Sequence, residues 1–182
     1  PGKTYSIDTI RLGKADTNLA DLYATHIGRS LVKPGDILSS LTLEKEADRI
    51  NTVLRNNGYY SFNRSHISFL ADTLKKDGTA KLEVQLPGQG LHKPYTIRKI
   101  NVYTGYDPIQ AVMDSTYYES MDTLDYEGVR FFFSGKSILR PRLIRNMSFM
   151  RPGELYNESK VKTTYDRLSN IRLLNSVTLQ FD

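Results

Sequence analysis

Three histidines, no cysteine and a scatter of carboxylates bound the chemistry open to this 182-residue chain. Without cysteine there is no disulfide, no thiolate metal ligand and no thiol nucleophile. His26, His66 and His92 stand far apart, without the His-x-x-x-His or Glu-rich spacing that holds zinc. Each reads as a surface or strand residue. Asp122 and Asp125 are close enough to work as an acid pair, but they lie in a polar segment and read as solvent-facing. Gly88 and Gly90 lack the strand-loop-helix setting of a phosphate cradle and read as linker residues. No catalytic residue, metal or cofactor is expected. What remains is recognition by backbone hydrogen bonds and by charge.

Charge is unevenly distributed. Asp107, Asp114, Glu119, Asp122, Asp125 and Glu127 form a run with no Lys or Arg among them. Arg130, Lys136, Arg140, Arg142, Arg145 and Arg151 follow with no acid between them. Either the two runs neutralise each other in space, or the second faces an anion. On the second reading Arg140, Arg142 and Arg145 are the candidate patch, and anionic lipid headgroups a candidate partner. The net charge is +5, with 39% apolar and 25% charged residues, the composition of a globular domain rather than a disordered one. No run approaches the roughly 18 apolar residues of a membrane helix. The start, Pro1-Gly2-Lys3-Thr4-Tyr5, has no signal-like segment, so any export signal is expected to be removed or to lie upstream.

The elements that must position these residues occur twice. At a spacing of 118, Lys33-Pro34-Gly35-Asp36 lies over Arg151-Pro152-Gly153-Glu154, and Asp48-Arg49 over Asp166-Arg167. Between and around them Leu43, Ala47, Ile50 and Val53 match Val161, Tyr165, Leu168 and Ile171, the apolar face of an amphipathic helix. Thr42 and Asn157 stand ahead as N-cap candidates. At a spacing of 90, Tyr5–Leu12 lies over Tyr95–Val102, with apolar residues at relative positions 3, 6 and 8 in both. Strict alternation would give 3, 5 and 7, so both copies predict a bulged strand. The two spacings differ by 28 residues, which places an insertion in the second copy near 104–137. Val129, Phe131 and Phe133 alternate there as one extra strand. A further helix fits near Asn18–Arg29 and again near Ile138–Phe149.

The first copy continues through Asn56-Asn57-Gly58, which ends its helix, and Tyr59-Tyr60, expected to drop onto the sheet. Ser65–Ala71 and Lys81–Leu86 then form a hairpin about Lys75-Lys76-Asp77-Gly78, with Ile67, Phe69, Leu82, Val84 and Leu86 inward. In the second copy Leu174 takes a tyrosine's place and Ser176–Gln180 would be the first hairpin arm. Its last strand is missing. The expected class is α+β: two β-α-α-β-β units, each a small mixed sheet covered on one face by two helices, at 1–88 and 91–182. The joint Pro87-Gly88-Gln89-Gly90 would permit hinging.

This order of elements resembles the polypeptide-transport-associated (POTRA) domain, in tandem as in outer-membrane barrel-assembly proteins of the BamA and TamA type. The residues that carry the resemblance are Pro34-Gly35-Asp36, Ile50, Leu54, Gly58-Tyr59-Tyr60 and Ile67, then Leu139-Arg140-Pro141, Arg151–Tyr156, Leu168 and Val177. The resemblance implies a non-catalytic periplasmic module of an outer-membrane protein, followed in the same chain by a membrane β-barrel. Its partners would be unfolded outer-membrane proteins or assembly accessory proteins. They would be held by β-augmentation at edge strands, here Ser65, Ile67, Phe69 and Ala71 in the first copy and Val177 and Leu179 in the second.

Two other readings fit the same residues. The units would serve as a passive spacer of the same machinery if their edges bind nothing. A KH-type nucleic-acid module also runs β-α-α-β-β, but grips phosphate with a Gly-x-x-Gly loop between its helices. Here an acid follows each glycine, so no nucleic acid is expected.

Overall fold

The computed structural model describes residues 4–73, 78–135 and 139–181. The chain divides into two compact α+β units, Pro1–Tyr95 and Thr96–Asp182, each with one three-stranded mixed sheet.

In unit one β1 (Ser6–Leu12) leads to α1 (Thr17–Thr25), α2 (Ser40–Asn56), β2 (Ser68–Asp72) and β3 (Thr79–Gln85). β3 is central, parallel to β1 and antiparallel to β2. The register of β1 skips Asp8, the slip that its apolar spacing anticipates, and Ile7, Ile10 and Leu12 all reach the core. Asp16 caps α1 by accepting the Asn18 N–H at 2.9 Å. α2 starts ahead of the expected cap: Ser39 is its extended N-cap residue, and Thr42 lies inside the first turn. Ala47, Ile50 and Leu54 are buried along it. Gly58 at φ +99° ends the run in a conformation that costs other residues strain. Only one of the two tyrosines drops inward. Tyr59 is 2% exposed, whereas Tyr60 is 39% exposed and packs edge-on to Tyr95. Ala80, Leu82 and Val84 of β3 close the core beneath α2. Leu82 and Val84 each contribute about 1.5–3 kcal/mol by leaving water. Of the hairpin turn, Lys75, Lys76 and Asp77 lie outside the described residues.

Unit two holds β4 (Ile100–Thr104), α3 (Pro108–Met113), β5 (Asp122–Tyr126), β6 (Val129–Phe133), α4 (Pro141–Met147) and α5 (Glu158–Ser169). β6 is central, parallel to β4 and antiparallel to β5. The insertion thus supplies a helix and a whole hairpin where the sequence pattern showed a single strand. β5 escaped notice because Asp122–Tyr126 is exposed at four of its five residues and its apolar alternation is limited to Leu124 and Tyr126. Val129 and Phe131 face Leu139, Ile144 and Leu168, and Ile100 and Val102 pack beside them. Tyr103 and Phe132 point to the other face and stack at 4.6 Å. Asn157 caps α5 as expected, accepting the Lys160 N–H at 2.9 Å. Ser176–Gln180 is not a strand: none of the six strands pairs with it, although Val177 packs on the core. A strand needs a ladder for its backbone groups, and among the described residues no strand pairs with this segment.

The internal repeat extends to several backbone hydrogen bonds. Ile7 N–H donates to Asp36 O at 2.8 Å and Gly35 N–H to Ile7 O at 2.7 Å. Ile97 N–H donates to Glu154 O at 2.8 Å and Gly153 N–H to Ile97 O at 2.7 Å. Both glycines take positive φ, +94° and +85°. Ser6 bridges Ile37 as Thr96 bridges Leu155. Ser30 and Ser148 each accept the N–H two residues on, from Val32 and Met150.

One repeated position carries different chemistry. The Leu31 N–H donates to the Glu46 carboxylate at 2.9 Å, and the Phe149 N–H donates to the Thr164 hydroxyl at 2.9 Å. Both acceptors are 1% exposed. Glu46 also accepts from Ser30 Oγ and from Arg49 Nε and Nη2. Burial pushes the Glu46 carboxyl up, but the Arg49, Leu31 and Ser30 hydrogen bonds outweigh it and hold the pKa below its usual value. Arg167, the counterpart of Arg49, lies over the Phe149 ring at 4.5 Å instead. With Thr164 turned inward, Tyr165 is 44% exposed, contrary to its expected match with the buried Ala47.

Candidate polypeptide-binding edge

β2 lies at one edge of its sheet, with a single strand partner, β3. Beside it an open cleft of about 600 Å³ separates the strand from α2. The helix contributes Ser40, Leu43, Glu44 and Ala47, and the strand side contributes Ile67, Ser68 and Phe69. Arg64 closes one end through Asp48 at 3.1 Å and Glu44 at 3.9 Å. The arrangement comes from local sequence. Asn63 accepts the Ser65 N–H and donates its own N–H to His66 Nδ1, a reciprocal cap that sets the turn before β2. An edge strand of five residues directs alternate N–H and C=O groups outward, and a cleft with an apolar floor beside it admits side chains of an added strand.

The expected edge residues divide. Phe69 and Ala71 lie in β2; Phe69 is half-buried toward the cleft and Ala71 is exposed. Ser65 is exposed in the preceding turn at Arg64–His66, and Ile67 is 8% exposed in the core. Val177 and Leu179 are half-buried in the segment that is not a strand. Leu43 and Arg64 were not anticipated at this site. Leu43 was read as core because its helical phase is that of Ala47 and Ile50, and only the spacing of the strand from the helix leaves it lining a cleft.

The basic run is only partly free. Arg145 has 12% of its side chain exposed and pairs with Glu127 at 3.3 Å, and Arg130 pairs with Asp125 at 2.8 Å. The two charged runs therefore neutralise each other in part, as the first of the two charge readings has it. Arg140 and Arg142 remain exposed.

His66 and His92, expected to stand apart, meet at 4.4 Å between ring centroids, and Phe62 packs on both. Burial lowers the His92 pKa first, and the neighbouring His66 lowers it further. Gly90 N–H donates to Asp16 at 3.3 Å, so the glycine segment is tied to unit one. His26 Nδ1 lies 2.9 Å from Leu22 O. Among the described residues no three His, Asp or Glu side chains gather as a metal site would require. No helix among them is long and apolar enough to cross a membrane.

The Pro-Gly loops are closed to phosphate. Gly35 N–H is bonded to β1, Asp36 N–H to Lys33 O, and the Asp36 carboxylate accepts the Lys33 N–H at 2.8 Å. A KH-type grip needs such groups turned outward.

No family model and no curated protein matches the chain. Solved structures do. BamA POTRA3-5 of Haemophilus influenzae matches at 11% identity and TM-score 0.40, over 96% of this chain and 89% of that one. The N-terminal domain of Omp85 from Thermosynechococcus elongatus matches at 11% identity and TM-score 0.31, over 100% and 92%. POTRA1-3 of Omp85 from Anabaena matches at 8% and 0.32, over 91% and 84%. These superpositions are loose. In its arrangement of elements the chain is similar to solved POTRA domains of the BamA and Omp85 type.

Proposed function

We propose that this chain is a non-catalytic module of an outer-membrane protein assembly or translocation factor, working in the periplasm. It holds extended client polypeptides or accessory proteins by adding their strands to β2. The observation that carries this reading is the edge position of β2 beside a cleft floored by Leu43, Ala47, Ile67 and Phe69. Each added backbone hydrogen bond contributes about 0.5–1.5 kcal/mol net. About four of them, less the cost of ordering the client, give weak and sequence-tolerant binding. A passive spacer would need neither feature.

The test is proline placed in turn at Phe69, Leu70 and Ala71 of the full chain, titrated with a peptide from an unfolded outer-membrane strand. Alternate N–H groups of an edge strand point outward, so proline at an outward position spares the ladder to β3. At that position the fold persists and peptide-induced protection of the β2 amides disappears. A peptide that binds without protecting any amide in Ser68–Asp72 refutes the site and favours the spacer.

A further inference from the structure

A sheet face turned to water ordinarily carries polar side chains, and unit one obeys. The face of its sheet away from α1 and α2 shows Thr9, Arg11, Lys81, Glu83 and Gln85, with Arg11 paired to Glu83 at 3.0 Å. Unit two breaks the rule. The face of its sheet away from α4 and α5 carries Tyr103 and Phe132, stacked at 4.6 Å with their planes 14° apart.

The insertion builds on this pair. Tyr118 meets Tyr103 edge-on at 5.8 Å, and Tyr106 stacks on Tyr118 at 6.3 Å with their hydroxyls 3.4 Å apart. Tyr117 pins the cluster from within: it is 7% exposed, and its hydroxyl accepts the Asp107 N–H at 2.8 Å. After these contacts the outer rings remain open to solvent, Tyr103 at 40%, Tyr106 at 46% and Tyr118 at 48%. A core covers its rings, whereas an interface needs them held by neighbours and open. Rings already fixed in this way offer a partner large contact area at little entropic cost.

Charge defines the partner. Between Tyr103 and Glu127 the sequence holds six carboxylates and no Lys, Arg or His, in a chain of net charge +5. Asp125 and Glu127 are taken by Arg130 and Arg145. Arg130 is the one base within β4, β5 and β6, so its pairing leaves these strands no free cation. Asp107 and Glu119, next in sequence to Tyr106 and Tyr118, have no ion-pair partner among the described residues. The Tyr106 pKa is raised, first by the hydrogen bond with Tyr118, then by desolvation, and further by the Tyr118, Tyr117 and Asp107 charges. The Asp107 carboxylate therefore acts on that ring directly. A tyrosine face carries negative density, and a carboxylate beside it deepens the potential. A guanidinium is attracted by both, whereas phosphate or anionic lipid is repelled.

We propose that Tyr103, Tyr106 and Tyr118, flanked by Asp107 and Glu119, form a docking face for a basic segment of a partner protein. Its arginine side chains lie on the rings, and the two carboxylates meet their charge. The contact runs through side chains, adds no strand to either sheet, and does not depend on the β2 edge.

The probe is a synthetic peptide of three Arg-Ser-Gly repeats, titrated into the isotope-labelled full chain at low salt with the tyrosine ring signals read by NMR. The Tyr106 and Tyr118 rings shift, and a peptide with Gln at each Arg leaves them in place. Raising the salt to about 0.3 M weakens binding about fivefold or more. Tyr106→Leu with Tyr118→Leu keeps apolar surface, removes the π faces, and lowers the affinity about fivefold or more. Asp107→Asn with Glu119→Gln does the same, and since asparagine also caps a helix, this variant carries the test if the leucine variant does not fold. Equal shifts with the Gln peptide, or a folded leucine variant that binds as tightly, overturn the proposal. So do ring shifts with an N-acetylglucosamine oligomer and none with the arginine peptide, which would give the rings to a sugar. Ring shifts without peptide that grow with protein concentration would assign the face to a second copy of this chain and overturn it as well.

Discussion

Replacing Glu46 by alanine should unfold unit one at markedly lower denaturant, and the repeat itself indicates the repair. The carboxylate is 1% exposed and serves Ser30, the Leu31 N–H and both arms of Arg49. Its loss strands the Leu31 N–H, at about 1–3 kcal/mol for an unsatisfied buried donor. It also leaves Arg49, with 16% of its side chain exposed, holding only the His26 carbonyl at 3.3 Å. Breaking a buried ion pair from one side costs about 3–5 kcal/mol in all. Unit two solves the same problem with Thr164 for the N–H and Phe149 for the arginine. Glu46→Thr with Leu31→Phe should therefore restore the acceptor and give Arg49 a ring, recovering about 1–3 kcal/mol of the loss. Urea titration of the full chain, with hydrogen exchange at Ile50 and Leu54 reporting unit one alone, measures both variants. The pH dependence supplies a second readout. The Glu46 pKa is lowered on folding, so its contribution is complete above the ordinary carboxyl value and is lost as the pH falls through the lowered one. The double variant should lack that loss. If alanine costs under about 1 kcal/mol, or threonine with phenylalanine is no better than alanine, the carboxylate is not the keystone described here.

Three further outcomes follow from the same geometry. Gly35→Ala and Gly153→Ala each force a side chain into positive φ and should each cost about 1–2 kcal/mol in their own unit, read by exchange in β1 and β4; a difference of more than about 1 kcal/mol between them would deny that the loops are equivalent. The His92 pKa is lowered on folding, so stability holds above about pH 6.5 and falls as acid charges the ring beside His66 and Phe62, whereas His92→Phe should abolish that limb of the thermal-melt profile. Arg140→Glu with Arg142→Glu should weaken sedimentation with anionic vesicles at low salt without changing the melting temperature, whereas Arg145→Glu should lower it by breaking the contact with Glu127.

Much of the architecture was legible because it is local and repeated. Pro-Gly-acid sets a turn wherever it occurs, and a helix face with apolar residues at Leu43, Ala47 and Ile50 buries whichever side they share. The slip in Tyr5–Leu12 recorded the bulge of β1, whereas β4 starts only at Ile100 and pairs with β6 without one, so the matching slip in Tyr95–Val102 marks no bulge. The candidate site was legible only in part. Phe69 and Ala71 fell on the edge strand, but the cleft beside them depends on how far α2 stands from β2, which no periodicity encodes. β5 has polar side chains because it is an exposed edge, and its pairing with β6 is what makes it a strand.

The amino-acid order alone determined that one unit was used twice, since turn chemistry and helical phase act between near neighbours. Tertiary structure alone decided that the inserted hairpin places β6 at the centre of the second sheet, parallel to β4. It also brought His92 against His66, and put Thr164 to the work that Glu46 does. Each of those outcomes joins residues separated along the chain, where packing chooses among partners that the sequence pattern leaves equal.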